Sequence, residues 1–144
     1  MGSDLHESLL LDNEAREYLG VTLQQLSRAA GYEVSLVGLI SRWETVVKQV
    51  EAGYRDSIYE YVNDLSVRDT LRKLEVESPR SLAAPLTDHL APLDLRFLEA
   101  TETAAAPIPG VALEASSPWS SRIPRKAEGE LLDDLRVAGL VAPN

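Results

Sequence analysis

Apolar residues recur through the middle of the chain at helical spacing. Trp43, Val47, Val50, Tyr54, Ile58, Tyr61 and Leu65 follow one another at steps of 4, 3, 4, 4, 3 and 4 residues. That is the repeat of one helix face, and it predicts one long helix. The opposite face pairs Glu44 with Lys48 and Glu51 with Arg55 at i,i+4, acid before base, the favourable order. Gly53 in the middle costs up to ~1 kcal/mol relative to alanine and marks a close helix crossing. Asn63-Asp64-Leu65-Ser66 then breaks the pattern. Ser66 and Asp69 make a weak capping box for a short helix with Val67, Leu71 and Leu74 inward, ended by Ser78-Pro79.

Leu82, Leu86, Leu90, Leu93 and Phe97, at steps of 4, 4, 3 and 4, predict a further helix. Pro85 suits its first turn, and Pro92 kinks it or starts a new one. Upstream, Leu9, Leu10, Leu11 and Ala15 share a small apolar face. Thr22 caps a second short helix through Leu23, Leu26 and Ala30, ended by Gly31. From Thr103 to Lys126 the chain is rich in Ala, Pro and Ser, with Ile108, Val111, Leu113, Trp119 and Ile123 isolated among them. So long a structureless loop is uncommon, and the segment reads as an extended arm pinned by those side chains. A last helix, Glu128 to Ala138, buries Leu131, Leu132 and Leu135 and ends at Gly139. The expected fold is all-α, a single antiparallel helical bundle. It has a helical segment over 5–34, a helical core over 35–102, the arm over 103–126 and a C-terminal helix over 127–139.

Composition changes this picture only in part. The chain has 144 residues, one ordinary domain, which buries roughly 70% of its unfolded surface without a staple. It has no cysteine, so disulfides and thiolate zinc sites are excluded. No signal peptide or membrane span is legible, and the expectation is a cytoplasmic protein with no membrane partner. Fourteen Lys/Arg against twenty-three Asp/Glu give a net charge of −9. Phosphate backbones are repelled and cationic partners attracted, although charge of this size also serves solubility alone.

Nothing reads as a catalytic apparatus. The histidines are His6 and His89, neither beside a nucleophile, and the glycines are scattered rather than gathered in a phosphate loop. No cofactor is expected. One carboxylate cluster stands out: Asp56, Glu60 and Asp64, at i, i+4 and i+8 of the long helix and toward its C-terminal end. Like charges at that spacing destabilise a helix by ~0.2–0.5 kcal/mol per pair, and the dipole adds to the cost. Three compensations fit. Arg68, Arg72 or Arg96 folds back on the acids, or Asp64 caps the next helix. Alternatively the stripe docks a cationic partner, with Tyr59 and Asn63 beside it. In the third, Asp94 or Asp69 completes a divalent metal site, although the usual Glu-x-x-His partner is missing.

Residues 23 to 42 also fit a helix-turn-helix pattern, with Leu26, Ala30, Gly31, Tyr32, Val37 and Ile40 at its apolar and turn positions. The reading helix would offer Arg42 as its basic residue, too little for phosphate contacts, so no nucleic-acid partner is expected. Arg122, Arg125 and Lys126 form a short basic cluster and read as a solvated turn or an intramolecular partner for acids.

Trp43, Gly53-Tyr54, Ile58-Tyr59-Glu60-Tyr61, Asn63-Asp64-Leu65, Arg68-Asp69, Asp94-x-Arg96-Phe97, Pro118-Trp119 and Arg122-Ile123-Pro124-Arg125 resemble a small bacterial all-helical family over residues 42 to 136. That family brings no established activity. The resemblance implies that Glu60, Asn63, Asp64, Arg68, Asp69, Asp94 and Arg96 belong to one unit, with Arg68, Asp69, Asp94 and Arg96 as a structural polar network. Together these readings predict a non-enzymatic, acidic protein–protein interaction module, in its sharpest form an immunity or antitoxin-type inhibitor of a cationic toxin. Its contact residues are Asp56, Tyr59, Glu60, Asn63 and Asp64. The alternatives are a carboxylate metal-binding bundle or metal-dependent enzyme using Glu60, Asp64, Asp69 and Asp94, and a helix-turn-helix regulator. Oligomeric state is open.

Overall fold

The computed structural model describes residues 11–109 and 118–141, and within them the chain is a helical bundle with one small sheet. The helices are α1 (Asn13–Ala30), α2 (Leu36–Ala52), α3 (Ile58–Glu77), α4 (Arg80–Glu99) and α5 (Gly129–Val137). Strands β1 (Thr101–Thr103) and β2 (Arg122–Pro124) pair antiparallel, with Glu102 opposite Ile123, and a 3-10 turn (Pro118–Ser121) precedes β2. Helices α2, α3 and α4 pack on one another as the centre, α5 lies on α3, and α1 lies on α4. No helix among the described residues is long and apolar enough to cross a membrane.

The apolar stripe from Trp43 to Leu65 is buried as its spacing predicts, but it is not one helix. The chain leaves α2 at Gly53 and re-enters α3 after Ser57. Tyr54 stays in the core, so the linker keeps the stripe in phase. Two features stop the helix. Gly53 adopts φ 126, ψ 107, far from helical values. Tyr54 instead makes a strand-like bridge: its N–H donates to the Lys126 carbonyl, and its carbonyl accepts from the Glu128 N–H. Ser57 then caps α3, its hydroxyl accepting from the Glu60 N–H. The real start signal is Ser57-x-x-Glu60, not Ser66-x-x-Asp69. Asn63 to Ser66 lie inside α3, where the Ser66 hydroxyl donates back to the Asn63 carbonyl.

Other boundaries also shift. Thr22 does not start a helix: it lies inside α1, which runs unbroken from Asn13 and is capped by Asp12, whose side chain accepts from the Ala15 N–H. The predicted face at Leu9 and Leu10 lies outside the described residues. Helix α4 runs unbroken through Pro85 and Pro92. Each proline removes one internal hydrogen bond, and at Pro92 the carbonyl left over is that of Asp88, on the solvent side. The arm is pinned where described: Ile108, Trp119 and Ile123 are buried, while Val111 and Leu113 lie outside the described residues. Helix α5 ends in a Schellman motif, with Leu140 N–H on the Leu135 carbonyl and Gly139 N–H on that of Arg136.

Candidate functional site

The polar residues singled out by sequence fall into three places. The first is buried. Arg68 is only 2% exposed on α3, at a position where the helical repeat of Leu65 and Leu71 would put an apolar residue. Its Nε and Nη2 donate to the two carboxylate oxygens of Asp94 on α4, at 2.9 and 2.7 Å. Its Nη1 lies 2.7 Å from Oε1 of Glu75, a carboxylate only 5% exposed. Trp119 covers the guanidinium at 4.2 Å. Both tryptophans also donate to acids here: Trp43 Nε1 to Asp94 at 3.0 Å and Trp119 Nε1 to Asp69 at 2.8 Å. Burial alone would lower the Arg68 pKa, but its bonding to the acceptor carboxylates of Asp94 and Glu75, and their charges, outweigh burial and hold the pKa above the ordinary value. Arg68, Asp69 and Asp94 thus share one cluster that ties α2, α3, α4 and the arm together. Arg96 is elsewhere, bidentate to Glu51 at 3.0 and 2.6 Å. Glu75 and the two indole N–H groups were missed by sequence reading. Their signal was an inward Arg, which needs acids around it.

The second place is Asp64, turned inward. Its carboxylate accepts from the Tyr54 hydroxyl at 2.6 Å and lies 3.8 Å from Arg42. Burial raises its pKa, partly offset by the Tyr54 hydrogen bond and the Arg42 charge. Burial and the neighbouring Asp64 push the Tyr54 phenol far above its ordinary range. The compensating base is therefore Arg42, not Arg68, Arg72 or Arg96.

The third place is the exposed start of α3. Asp56 lies in the linker ahead of the helix, and Glu60 in its first turn. The expected acidic stripe near a helix C-terminus is thus corrected: the break at Gly53 turns it into an N-terminal arrangement, where the dipole favours anions. Tyr59 is 83% exposed, and Asp56, Glu60 and Asn63 around it are exposed as well. Helix α5 adds to this end of the molecule. Its Asp134 carboxylate accepts from the Ile58 N–H at 2.9 Å, and the segment before it bridges Tyr54. Glu128 ahead of α5 and Glu130 and Asp133 within it are exposed, as are Arg55 and Lys126 in the two bridged segments.

The acids proposed for a metal are not gathered. Asp64 faces Tyr54, Asp69 faces Trp119, and Asp94 faces Arg68. Among the described residues no group of three or more His, Cys, Asp or Glu side chains is placed to hold a metal ion. Gly31 does turn the chain between α1 and α2, as a helix-turn-helix requires, but α2 is a central helix of the bundle. The basic cluster is divided: Arg122 clasps the end of α4, donating to the carbonyls of Leu98 and Thr101, while Arg125 and Lys126 are exposed. No family model matches the chain, and neither the curated proteins nor the solved structures give a match.

Proposed function

We propose that this chain is a non-enzymatic interaction module whose acidic end takes a cationic protein, as an immunity or antitoxin-type inhibitor takes a basic toxin. The observation that supports the reading is Tyr59, a large side chain 83% exposed and ringed by the exposed Asp56, Glu60 and Asn63. An aromatic anchor of this kind supplies contact area, and the surrounding carboxylates supply steering toward a basic surface. The neighbouring acids of α5 extend the same field, and the net charge of −9 reinforces it at long range. Asp64 contributes less than the sequence suggested, because its charge is engaged by Tyr54 and Arg42.

The test is capture at low salt from the native lysate with the purified chain as bait, compared with Tyr59→Ala and with Asp56→Lys/Glu60→Lys. The expected result is a basic protein that is released by salt. Tyr59→Ala should weaken its binding about thirtyfold, an anchor's ~2 kcal/mol. Binding indifferent to salt and to all three substitutions would refute the reading.

A further inference from the structure

The apolar stripe from Trp43 to Leu65 passes the break at Gly53 without losing its phase. At about 100° per residue, all of its positions fall within an arc of about 80° on one continuous helix. A hairpin imposes no such relation, because a linker lets either helix turn about its own axis. Only an unbroken helix requires the stripe to stay in register across residues 53–57. The linker Gly53-Tyr54-Arg55-Asp56-Ser57 holds no proline, so every residue in it can enter a helix.

What the closed linker supplies, a helix supplies in another form. Tyr54 now bridges to Lys126 and Glu128, the Asp134 carboxylate accepts from the Ile58 N–H, and Ser57 caps α3. In a continuous helix the Tyr54 N–H meets the Val50 carbonyl, and the Ile58 N–H meets that of Tyr54, so neither donor is orphaned. Glu51 and Arg55 then stand at i,i+4 with the acid first. Three features oppose that form. Gly53 is a poor helix former, and Asp56, Glu60 and Asp64 would repel one another at i, i+4 and i+8. The Tyr54 bridge would also be lost. Together they keep the linker closed in the monomer.

Straightening the linker separates α1 and α2 from α3, α4 and α5, and the contacts between those two sets are core contacts. Trp43 packs on Phe97 at 4.9 Å and donates to Asp94, and Arg96 holds Glu51 from the far side of the linker. One open chain exposes these faces. Two open chains restore them, each α1–α2 set closing on the other copy's α3–α5 set. We propose that the 53–57 linker is a hinge through which the chain exchanges halves with a second copy, α2 and α3 becoming one helix over residues 36–77. Only the hinge differs between the two forms, which makes such exchange a low-cost route to a dimer. It does not rest on the role given above to the acidic end.

Refolding the full chain from urea at low and at millimolar concentration tests this, with sedimentation velocity for its size and circular dichroism for its folding. The wild type should refold as monomer when dilute and yield a dimer fraction when concentrated. Diluted after isolation, that dimer should revert only as slowly as the fold opens. Gly53→Ala should raise the dimerisation constant at least about thirtyfold, since each of two hinges gains about fivefold when a helical glycine becomes alanine. Arg55→Gly/Asp56→Gly, at two exposed linker positions, should abolish the dimer by weakening the hinge helix. The chain has no cysteine, so Glu51→Cys and Arg96→Cys can be refolded together and joined by a short bismaleimide. Exchange places those positions of different copies against each other, as Glu51 and Arg96 now are within one, and they should cross-link. A wild type that stays monomeric at every concentration, a dimer that survives Arg55→Gly/Asp56→Gly, or a dimer without that cross-link would each overturn the proposal.

Discussion

Replacing Asp94 by alanine leaves Arg68 buried with half of its charge partners gone. The guanidinium loses two short hydrogen bonds to Asp94, at 2.9 and 2.7 Å, and Trp43 Nε1 loses its acceptor. Removing one partner of a buried ion pair costs about 3–5 kcal/mol, because the remaining charge stays desolvated. Two features place this case at the lower end. The Asp94 side chain is 25% exposed, so water reaches the gap, and Glu75 stays 2.7 Å from Nη1. The expected loss is therefore about 3 kcal/mol, or a melting temperature lower by about 6–12 °C for a chain of this size. Urea unfolding followed by tryptophan fluorescence measures it well, because the chain's two tryptophans, Trp43 and Trp119, both sit in the cluster. Arg68→Met completes a double-mutant cycle. Once the charge is gone, losing Asp94 matters less, so the double variant should be less destabilised than the sum of the singles by about 1–3 kcal/mol. A loss under about 1 kcal/mol for Asp94→Ala, or additivity within about 0.5 kcal/mol, would refute the view that Arg68 and Asp94 are coupled.

Gly53→Ala should destabilise by well over 1 kcal/mol, since φ there is 126, where an L side chain is strained whatever the space; the added Cβ also meets the Glu128 carboxylate, whose flexible side chain can give way. Adding Glu128→Ala should recover only the steric part, and full recovery in urea melts would show that the backbone is unstrained. Asp64→Asn tests the inward carboxylate by pH. Burial raises the Asp64 pKa in the folded state, so the folded chain holds that proton more tightly than the unfolded one, and stability gained on protonation is lost as pH rises through the folded value. Wild type should therefore gain on Asp64→Asn as pH falls from neutrality toward about 4, the ordinary aspartate range, and a pH-independent difference would count against the assignment. Trp119→Ala should cost about 3–5 kcal/mol and open the 118–124 segment to proteolysis, because the ring covers Arg68 and fills the core. Unchanged protease resistance would show that other contacts hold the arm.

The chain's helical class was legible because Leu82 to Phe97 and Trp43 to Leu65 repeat at helical spacing over many turns. The break at Gly53 was not, for a physical reason. Periodicity reports which side chains are buried, and Tyr54 is buried whether it lies in a helix or in a linker that bridges to Lys126 and Glu128. The local chemistry was the better witness there: a glycine followed by Ser57-x-x-Glu60 is a stop and a start. The same misplacement reversed the electrostatics of Asp56 and Glu60, which lie at the start of a helix rather than toward its end. Arg68 was legible as part of a polar group but not as its centre, because its partners Glu75, Asp94 and Trp119 come from the same helix, another helix and the arm. The pairing with Asp94 and Trp119 is long-range and leaves no periodic mark.

The structure also sorts the acids by what they are doing. Glu75 and Asp94 neutralise Arg68, Asp69 holds Trp119, Glu51 holds Arg96, and Asp12 and Asp134 accept backbone N–H groups at helix starts. These charges are consumed by folding, so they add little to an outward field. Asp56, Glu60, Glu128, Glu130 and Asp133 are exposed, and Asp56 and Glu128 belong to the two segments that meet at the Tyr54 bridge, the linker after α2 and the segment before α5. That meeting rests on backbone hydrogen bonds of Tyr54 and on the close approach of Gly53 to Glu128 and of Gly129 to Arg55, which a Cβ at either glycine would crowd. The acidic end is thus held by a backbone bridge between the linker after α2 and the segment before α5. If the field serves a partner, neutralising Glu128, Glu130 and Asp133 should raise the stability of the free chain while weakening capture of a basic protein. Stability and capture that fall together would instead make those acids supports of the bridge.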